Sequence, residues 1–187
     1  MAKAVLRGRI SYPHLFEPYG MDGQEPKYSV CLLIDKDDAV NVKKAKEAIA
    51  ETINEGMASK WGGKKPVNLK NPLRDGDAEK PDSPEYQNCY FLNCNSSRRK
   101  PEVVLRYKDP ATGKPMDGDE DSVYAGCYCN VSVSFYPFAV SGNNGVAAGL
   151  GNVQKWEDGE RLGVAVKSAA DEFEFDDMEE ADLDDLL

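Results

Sequence analysis

The clearest hydrophobic pattern lies in residues 122–138, SVYAGCYCNVSVSFYPF. Alternate positions separate into an apolar set (Val123, Ala125, Cys127, Cys129, Val131, Val133, Phe135) and a second set of rings and small polar residues. Side chains alternate between the two faces of a strand, so this pattern predicts a long antiparallel strand with one face in a core. Tyr124, Tyr128 and Tyr136 fall on its outer face. Residues 3–12 and 27–35 are apolar and β-branched, bounded by Pro, Gly and Asp, and read as two further strands. The stretch between them, PHLFEPYGMDGQEP, reads as a long loop. Residues 86–95 and 102–108 add two more strands, the second with Val103, Leu105 and Tyr107 on one face and Arg106 and Lys108 on the other. Val42, Ala45, Ile49, Ile53 and Met57 recur three or four residues apart, which predicts a helix opened by Asp37 or Asp38 and stopped by Gly62-Gly63.

Between these elements, residues 56–74 hold five basic residues and no acid, with Trp61 among them. They read either as a solvated loop with one anchoring ring or as a loop that contacts phosphates and offers a stacking ring. Residues 75–85 are rich in Pro and acids and read as a mobile surface loop, and 109–121 as a turn-rich one. The Gly-Lys pair in the latter lacks the first Gly and the Ser/Thr of a phosphate-binding loop. The glycine-rich stretch 141–163 permits turns and close backbone approach, with Val146, Leu150, Val153 and Trp156 as its anchors. Unequal, curved strands with one mid-chain helix imply a β-rich α+β domain built on a small Greek-key barrel. The OB-fold, with the helix, the basic region and long loops inserted between its strands, is the natural candidate. The pattern alone does not choose between it and another small barrel.

Composition changes the picture mainly through charge. The net charge of −10 is not spread along the 187 residues: from Asp171 to Leu187 there are ten acidic residues and no basic one, leaving 23 acidic against 23 basic in the body. The expected organisation is a domain over 1–163 and a linker with a disordered acidic tail over 164–187. Neutrality of the body removes the objection that a pI of about 4.7 raises to a nucleic-acid partner. The five cysteines include no CxxC pair and there is one histidine, His14, so they read as reduced, buried thiols and no metal is expected. Mean hydropathy is −0.59, no apolar run approaches a membrane span, and no apolar segment follows the first basic residues, so neither a membrane nor a signal peptide is expected.

The candidate chemistry is cationic and aromatic. Basic residues at Arg7, Arg9, Lys60, Lys64, Lys65, Arg98, Arg99, Lys100 and Arg106 interleave with rings at Trp61, Tyr107, Tyr124, Tyr128 and Tyr136. A binder of single strands needs a positive groove for phosphates and flat rings on which bases stack. Two other classes compete. A metal-dependent nuclease would use Asp75, Asp77 and the acids of 117–121, but His14 lies in a different element and no nucleophile–base pair stands out. An acidic-tailed scaffold or DNA mimic would act through the tail and would not need the basic, aromatic body.

Four stretches carry a resemblance: NPLRDGD (71–77), NCNSSRRKP (93–101), the strand VYAGCYCNVSVSFYPF, and GVAAGLGNVQKWEDGERLG (145–163). With the N-terminal strand and the tail they span nearly the whole chain, which resembles the bacteriophage single-stranded DNA-binding proteins that combine an OB-fold core with an acidic C-terminal tail. The resemblance implies sequence-tolerant ssDNA binding without enzymatic activity or cofactor. It also implies a role in phage replication or recombination in the cytoplasm of a bacterial host. The tail is expected to compete with DNA and to dock replication or recombination proteins.

Overall fold

In the computed structural model, residues 2–163 and 169–175 are described. The strands are β1 (Ala2–Tyr19), β2 (Lys27–Asp35), β3 (Leu73–Asp75), β4 (Cys89–Ser96), β5 (Val103–Lys108), β6 (Pro115–Asp117), β7 (Tyr128–Val140) and β8 (Asn143–Glu157). The helices are α1 (Ala39–Ser59) and two single turns, α2 (Gly76–Glu79) and α3 (Ala169–Glu172). The sheet order is β3-β4-β2-β1-β7-β8-β5-β6, and a further pairing of β4 with β8 closes five strands into a barrel. That closing contact is parallel, Cys94 opposite Ala148 and Asn95 opposite Gly149. The fold is the OB-fold, with α1 and the basic segment inserted between β2 and β4. Among the described residues no helix is long and apolar enough to cross a membrane.

The alternation of 122–138 becomes the wall of this barrel. Cys127, Cys129, Val131, Val133 and Phe135 are buried against Leu6 and Ile10 of β1, Leu32 and Ile34 of β2, and Leu92 of β4. All five cysteines are free, and burial raises the Cys94 thiol above its ordinary pKa. Helix α1 starts where Asp38 accepts a hydrogen bond from the Asn41 backbone N–H at 3.1 Å. Its buried stripe, Ala45, Ala48, Ile49, Thr52 and Gly56, packs on β1 and β7. Pairing of β1 with β2 begins at Arg9, and beyond that point the Arg7 N–H donates instead to Asn41 Oδ1 at 2.8 Å. The helix thus takes over an edge that would otherwise hold unpaired backbone groups.

Several segments depart from the sequence expectation. The stretch after Tyr12 is not loop: β1 continues to Tyr19 through an irregularity between Ser11 and His14, with Tyr12 at φ 46°. That irregularity shifts the inward parity, so Ser11 and Leu15 are both buried. Residues 75–85 are not a free loop either. They form α2 and a 3-10 turn at Pro84–Tyr86, and Tyr86 meets Phe91 edge-on at 5.2 Å. With Cys31 and Leu33 these rings form a second apolar cluster, which covers the outer face of β2 and β4. Short strands β3 and β6 lie within segments that read as loops.

The predicted strand over 122–138 begins only at Tyr128. Gly126, at φ 111°, turns the chain just before it, in a conformation that other residues adopt only under strain. The predicted tail falls largely on residues 176–187, and the linker on 164–168, which lie outside the described residues.

Strand β8 contains the irregularity on which the site depends. Val131 pairs with Val153 but Val133 with Leu150, so three residues of β8 span two of β7. The Ser132 hydroxyl fills the resulting bulge: the Asn152 N–H donates to Ser132 Oγ at 2.7 Å, and Ser132 Oγ donates to the Asn152 carbonyl at 3.4 Å. A Cβ on Gly151 would overlap the Ser132 hydroxyl and lie 2.8 Å from its carbonyl oxygen. Leu150 and Val153 therefore both face the core, and Asn152, Gln154 and Trp156 face outward.

Because Phe135 is fully buried in this core, Phe135→Ala is expected to cost about 3–5 kcal/mol of stability, read by urea unfolding. Val131→Asp is expected to abolish cooperative folding, because it places an unpaired charge in the barrel; a sharp thermal transition by circular dichroism would contradict the face assignment.

Candidate nucleic-acid interface

The barrel's outer surface divides in two. On the β2/β4 side Tyr86 covers Cys31, Leu33 and Phe91, whereas on β1 and β7, whose core side meets α1, the outward Val5, Tyr128 and Tyr136 stay exposed. Register sets its rows. Arg7 of β1 lies opposite Asn130 of β7, which lies opposite Gln154 of β8, and Arg9 lies opposite Tyr128. Hydrogen bonds follow the same row: Arg7 Nε donates to Asn130 Oδ1 at 2.9 Å, and Asn130 Nδ2 donates to Gln154 Oε1 at 2.9 Å. The Arg7 guanidinium carbon sits 4.1 Å from the Trp156 ring centroid, and that of Arg106 sits 3.9 Å from it. From the loop between β4 and β5, Arg99 Nη2 donates to Asn152 Oδ1 at 3.1 Å. Arg7, Arg99, Arg106 and Tyr128 thus meet on one surface around the outward residues of β8. Tyr107, on the adjoining strand β5, is exposed. Arg98 and Lys100 flank Arg99 as exposed cations with no side-chain partner among the described residues.

Other expected residues are placed differently. Tyr124 does not continue the Tyr128–Tyr136 row, because it precedes the turn at Gly126. Its ring packs partly into the core, and its hydroxyl donates to Asp158 Oδ1 at 3.0 Å. Arg161 covers the ring at 4.2 Å. Hydrogen bonds from Lys155 and then Tyr124 hold the Asp158 carboxyl below the usual range. Arg9 is engaged structurally, its Nε donating to the Gly126 carbonyl at 3.1 Å and its Nη2 to the Glu160 carbonyl. It pins residues 158–162 across the Gly126 turn beside Tyr128.

Trp61 acts as an anchor. Its ring packs where Gly56 leaves room, since a Cβ there would lie 2.6 Å from Trp61 Cη2, and its Nε1 donates to the Phe138 carbonyl at 3.3 Å. This fixes Lys60, Lys64 and Lys65 at the far end of β7. Eight residues separate Phe138 from Asn130, or roughly 26 Å of strand. Tyr136 lies between, 38% exposed, and Tyr128, 40% exposed, lies at the arginine end.

Of the acids weighed for metal chemistry, Asp75, Asp77 and Asp119 have partners. Lys36 Nζ lies 2.7 Å from both Asp75 and Asp77, and its bonds hold both carboxyls low. Asp119 accepts from the Ser122 backbone N–H at 2.8 Å. Trp156, which read as a core anchor, is the site residue that sequence reasoning missed. Its signal was the three-residue step from Leu150 to Val153 across Gly-Asn, which marks a bulge and reverses the parity that follows.

Comparison with known proteins finds relatives over nearly the whole chain. Protein p50 of Acyrthosiphon pisum secondary endosymbiont phage 1 is 34% identical over 190 residues, covering 96% of this chain and 95% of its own length. The structure of the single-stranded DNA-binding protein of bacteriophage Enc34 in complex with ssDNA superposes with a TM-score of 0.70 at 30% identity, over 86% of this chain and 88% of that one. Another structure of the Enc34 protein gives 0.67 at 27% identity, over 92% and 89%. The family described as "Enterobacter phage Enc34, ssDNA-binding protein" matches residues 3–187. With nearly the whole chain matched, from the first barrel strand to the last residue, this protein belongs to the Enc34 ssDNA-binding protein family.

Proposed function

We propose that this chain is a sequence-tolerant ssDNA-binding protein, not an enzyme, that protects single strands during phage replication or recombination in the host cytoplasm. Its DNA-binding body is residues 1–163, and residues 164–187 are a linker and acidic tail. The observation that carries the reading is the outer face of β1, β7 and β8, on which Tyr128 and Tyr136 stay exposed. There Arg7, Arg99 and Arg106 gather beside Tyr128, with Tyr136 further along the same strand. Guanidinium groups bind phosphates of any sequence, and tyrosine rings stack on any base. The Enc34 relative, solved in complex with ssDNA, supports ssDNA as the ligand. Lys60, Lys64 and Lys65 extend the positive surface past Tyr136 and suit a longer strand running along β7.

In this proposal the tail from Asp171 competes with DNA and, once displaced, docks replication or recombination proteins. Its starting point favours this. Residues 158–162 are held to the Gly126 turn, Leu162 N–H donating to the Ala125 carbonyl at 2.9 Å, so the chain leaves the barrel next to Tyr128. A flexible segment of that length spans about 20–25 Å, and tethering gives it an effective concentration on the order of millimolar.

Titration of a fluorescent oligonucleotide over a salt series tests the core of the reading. Log affinity is expected to fall with log salt at about −0.7 per phosphate contact, and affinity indifferent to salt would refute it. Neutralising Arg98, Arg99 and Lys100 together is expected to flatten that slope. Tyr128→Ala is expected to weaken binding by about 1–3 kcal/mol with the melting temperature kept, since its ring is outside the core. Deleting residues 171–187 is expected to raise ssDNA affinity, most at low salt; identical affinities for the two proteins across the series would remove the competing tail from the proposal.

A further inference from the structure

We infer that Trp156 is a positioning residue that holds Arg7 and Arg106 apart as a two-point phosphate clamp, and that it does not itself stack on a base. The inference rests on the ssDNA-binding reading above and specifies how one part of that face works. The two guanidinium carbons lie 4.1 and 3.9 Å from the same ring centroid. Two cations that near one centroid repel each other least from opposite faces. The strand order β1-β7-β8-β5 also brings Arg7 and Arg106 in from opposite sides of β8. The register agrees: Val104 of β5 pairs with Gln154, and the parallel pairing carries Arg106 alongside Trp156. Both faces of the indole are therefore covered, and a base could reach either only by displacing a guanidinium.

The arrangement gives the ring a different task. A guanidinium flat on an indole keeps its N–H donors in its own plane, directed past the ring edge, where they remain free for a phosphate. Arg7 is fixed further by its bond to Asn130, itself held by Gln154. Arg106 makes no hydrogen bond or ion pair among the described residues; it lies 3.9 Å from the Trp156 centroid and 5.9 Å from that of Tyr107, so the nearer ring is what orients it. The result is two like charges held against one ring before ligand arrives. Their mutual repulsion is relieved by anionic groups at the ring edge, and the ligand chemistry that supplies two such groups in succession is a sugar–phosphate backbone.

Three variants of the full-length protein, assayed with oligo(dT) by fluorescence anisotropy over a salt series, test the clamp. Trp156→Leu is expected to lower affinity about tenfold or more and to flatten the salt slope toward that of the Arg7→Ala/Arg106→Ala double variant. Tyr128→Ala should lower affinity and leave the slope unchanged, as loss of stacking does. Arg106→Lys keeps the charge but loses the planar stack and is expected to weaken binding several-fold; it also serves if Trp156→Leu folds poorly. A second readout is emission from Trp156 in a Trp61→Phe background. Saturating ssDNA should quench it by less than about a fifth, whereas loss of most of the emission would mean that a base stacks on the ring and would overturn the inference. An unchanged salt slope in Trp156→Leu, or full affinity in Arg106→Lys, would overturn it as well while leaving the binding function intact. Absence of ssDNA binding by the unmodified protein would instead refute the function on which it rests.

Discussion

The Ser132 hydroxyl, bonded to both the N–H and the carbonyl of Asn152, holds one extra residue in β8, and the outer face of the barrel depends on that bulge. Without it, strict alternation from Leu150 would send Val153 outward and Trp156 into the core. With it, the apolar residues on both sides of the bulge stay inside, and Asn152, Gln154 and Trp156 emerge together. Each then finds a partner that belongs to another strand or loop: Arg99 for Asn152, Asn130 for Gln154, Arg7 and Arg106 for Trp156. Gly151 is required at the same point because a side chain there would occupy the hydroxyl's place. A two-residue device of Ser and Gly thus sets the composition of a whole surface.

The rest of the fold decides which surface stays open. On the outer face of β2 and β4, Cys31, Leu33 and Phe91 are apolar and need a cover, which Tyr86 and the turns around it supply. Lys36 joins that cover to the barrel by bonding Asp75 and Asp77, so these acids are neutralised on the side away from the arginines. On β7 the outward residues are Tyr128, Asn130, Ser132, Ser134 and Tyr136, which need no cover. Polarity written into alternate positions of two pairs of strands therefore separates a sealed side from a binding side.

Much of this was legible in the chain. The period-two pattern of 127–135 identified the barrel wall, the three-to-four spacing identified α1, and Asp38 marked its first turn, because each signal is local and repeated. The stretch 13–19 was misread because Pro13 and Pro18 look like loop residues, although an edge of β1 past its bulge tolerates both. Residues 75–86 were misread because the burial of Tyr86 depends on Phe91 and Cys31, which are distant in sequence. Tyr124 kept the alternation of its strand in sequence but not in space, since one glycine turn ended the register. At the site, Arg7, Arg99, Arg106 and Tyr128 were chosen by residue type. Their meeting around Trp156 was hidden, because it follows from strand order and a bulge, neither of which alternation reports.

The parallel contact that closes the barrel has a kinetic meaning. Cys94 and Asn95 must find Ala148 and Gly149, more than fifty residues later. The β7–β8 hairpin and the β1–β2 pair join near neighbours in sequence and can form early at little loop-closure cost, whereas the β1–β7 pairing, with Arg9 opposite Tyr128, and the β4–β8 seam both close long loops. An emerging chain would therefore hold an open, curved sheet with the edges of β4 and β8 unpaired until residue 149 has left the ribosome. During that interval the sheet edges, rather than the finished surface, govern whether copies of the chain fold singly or adhere to one another.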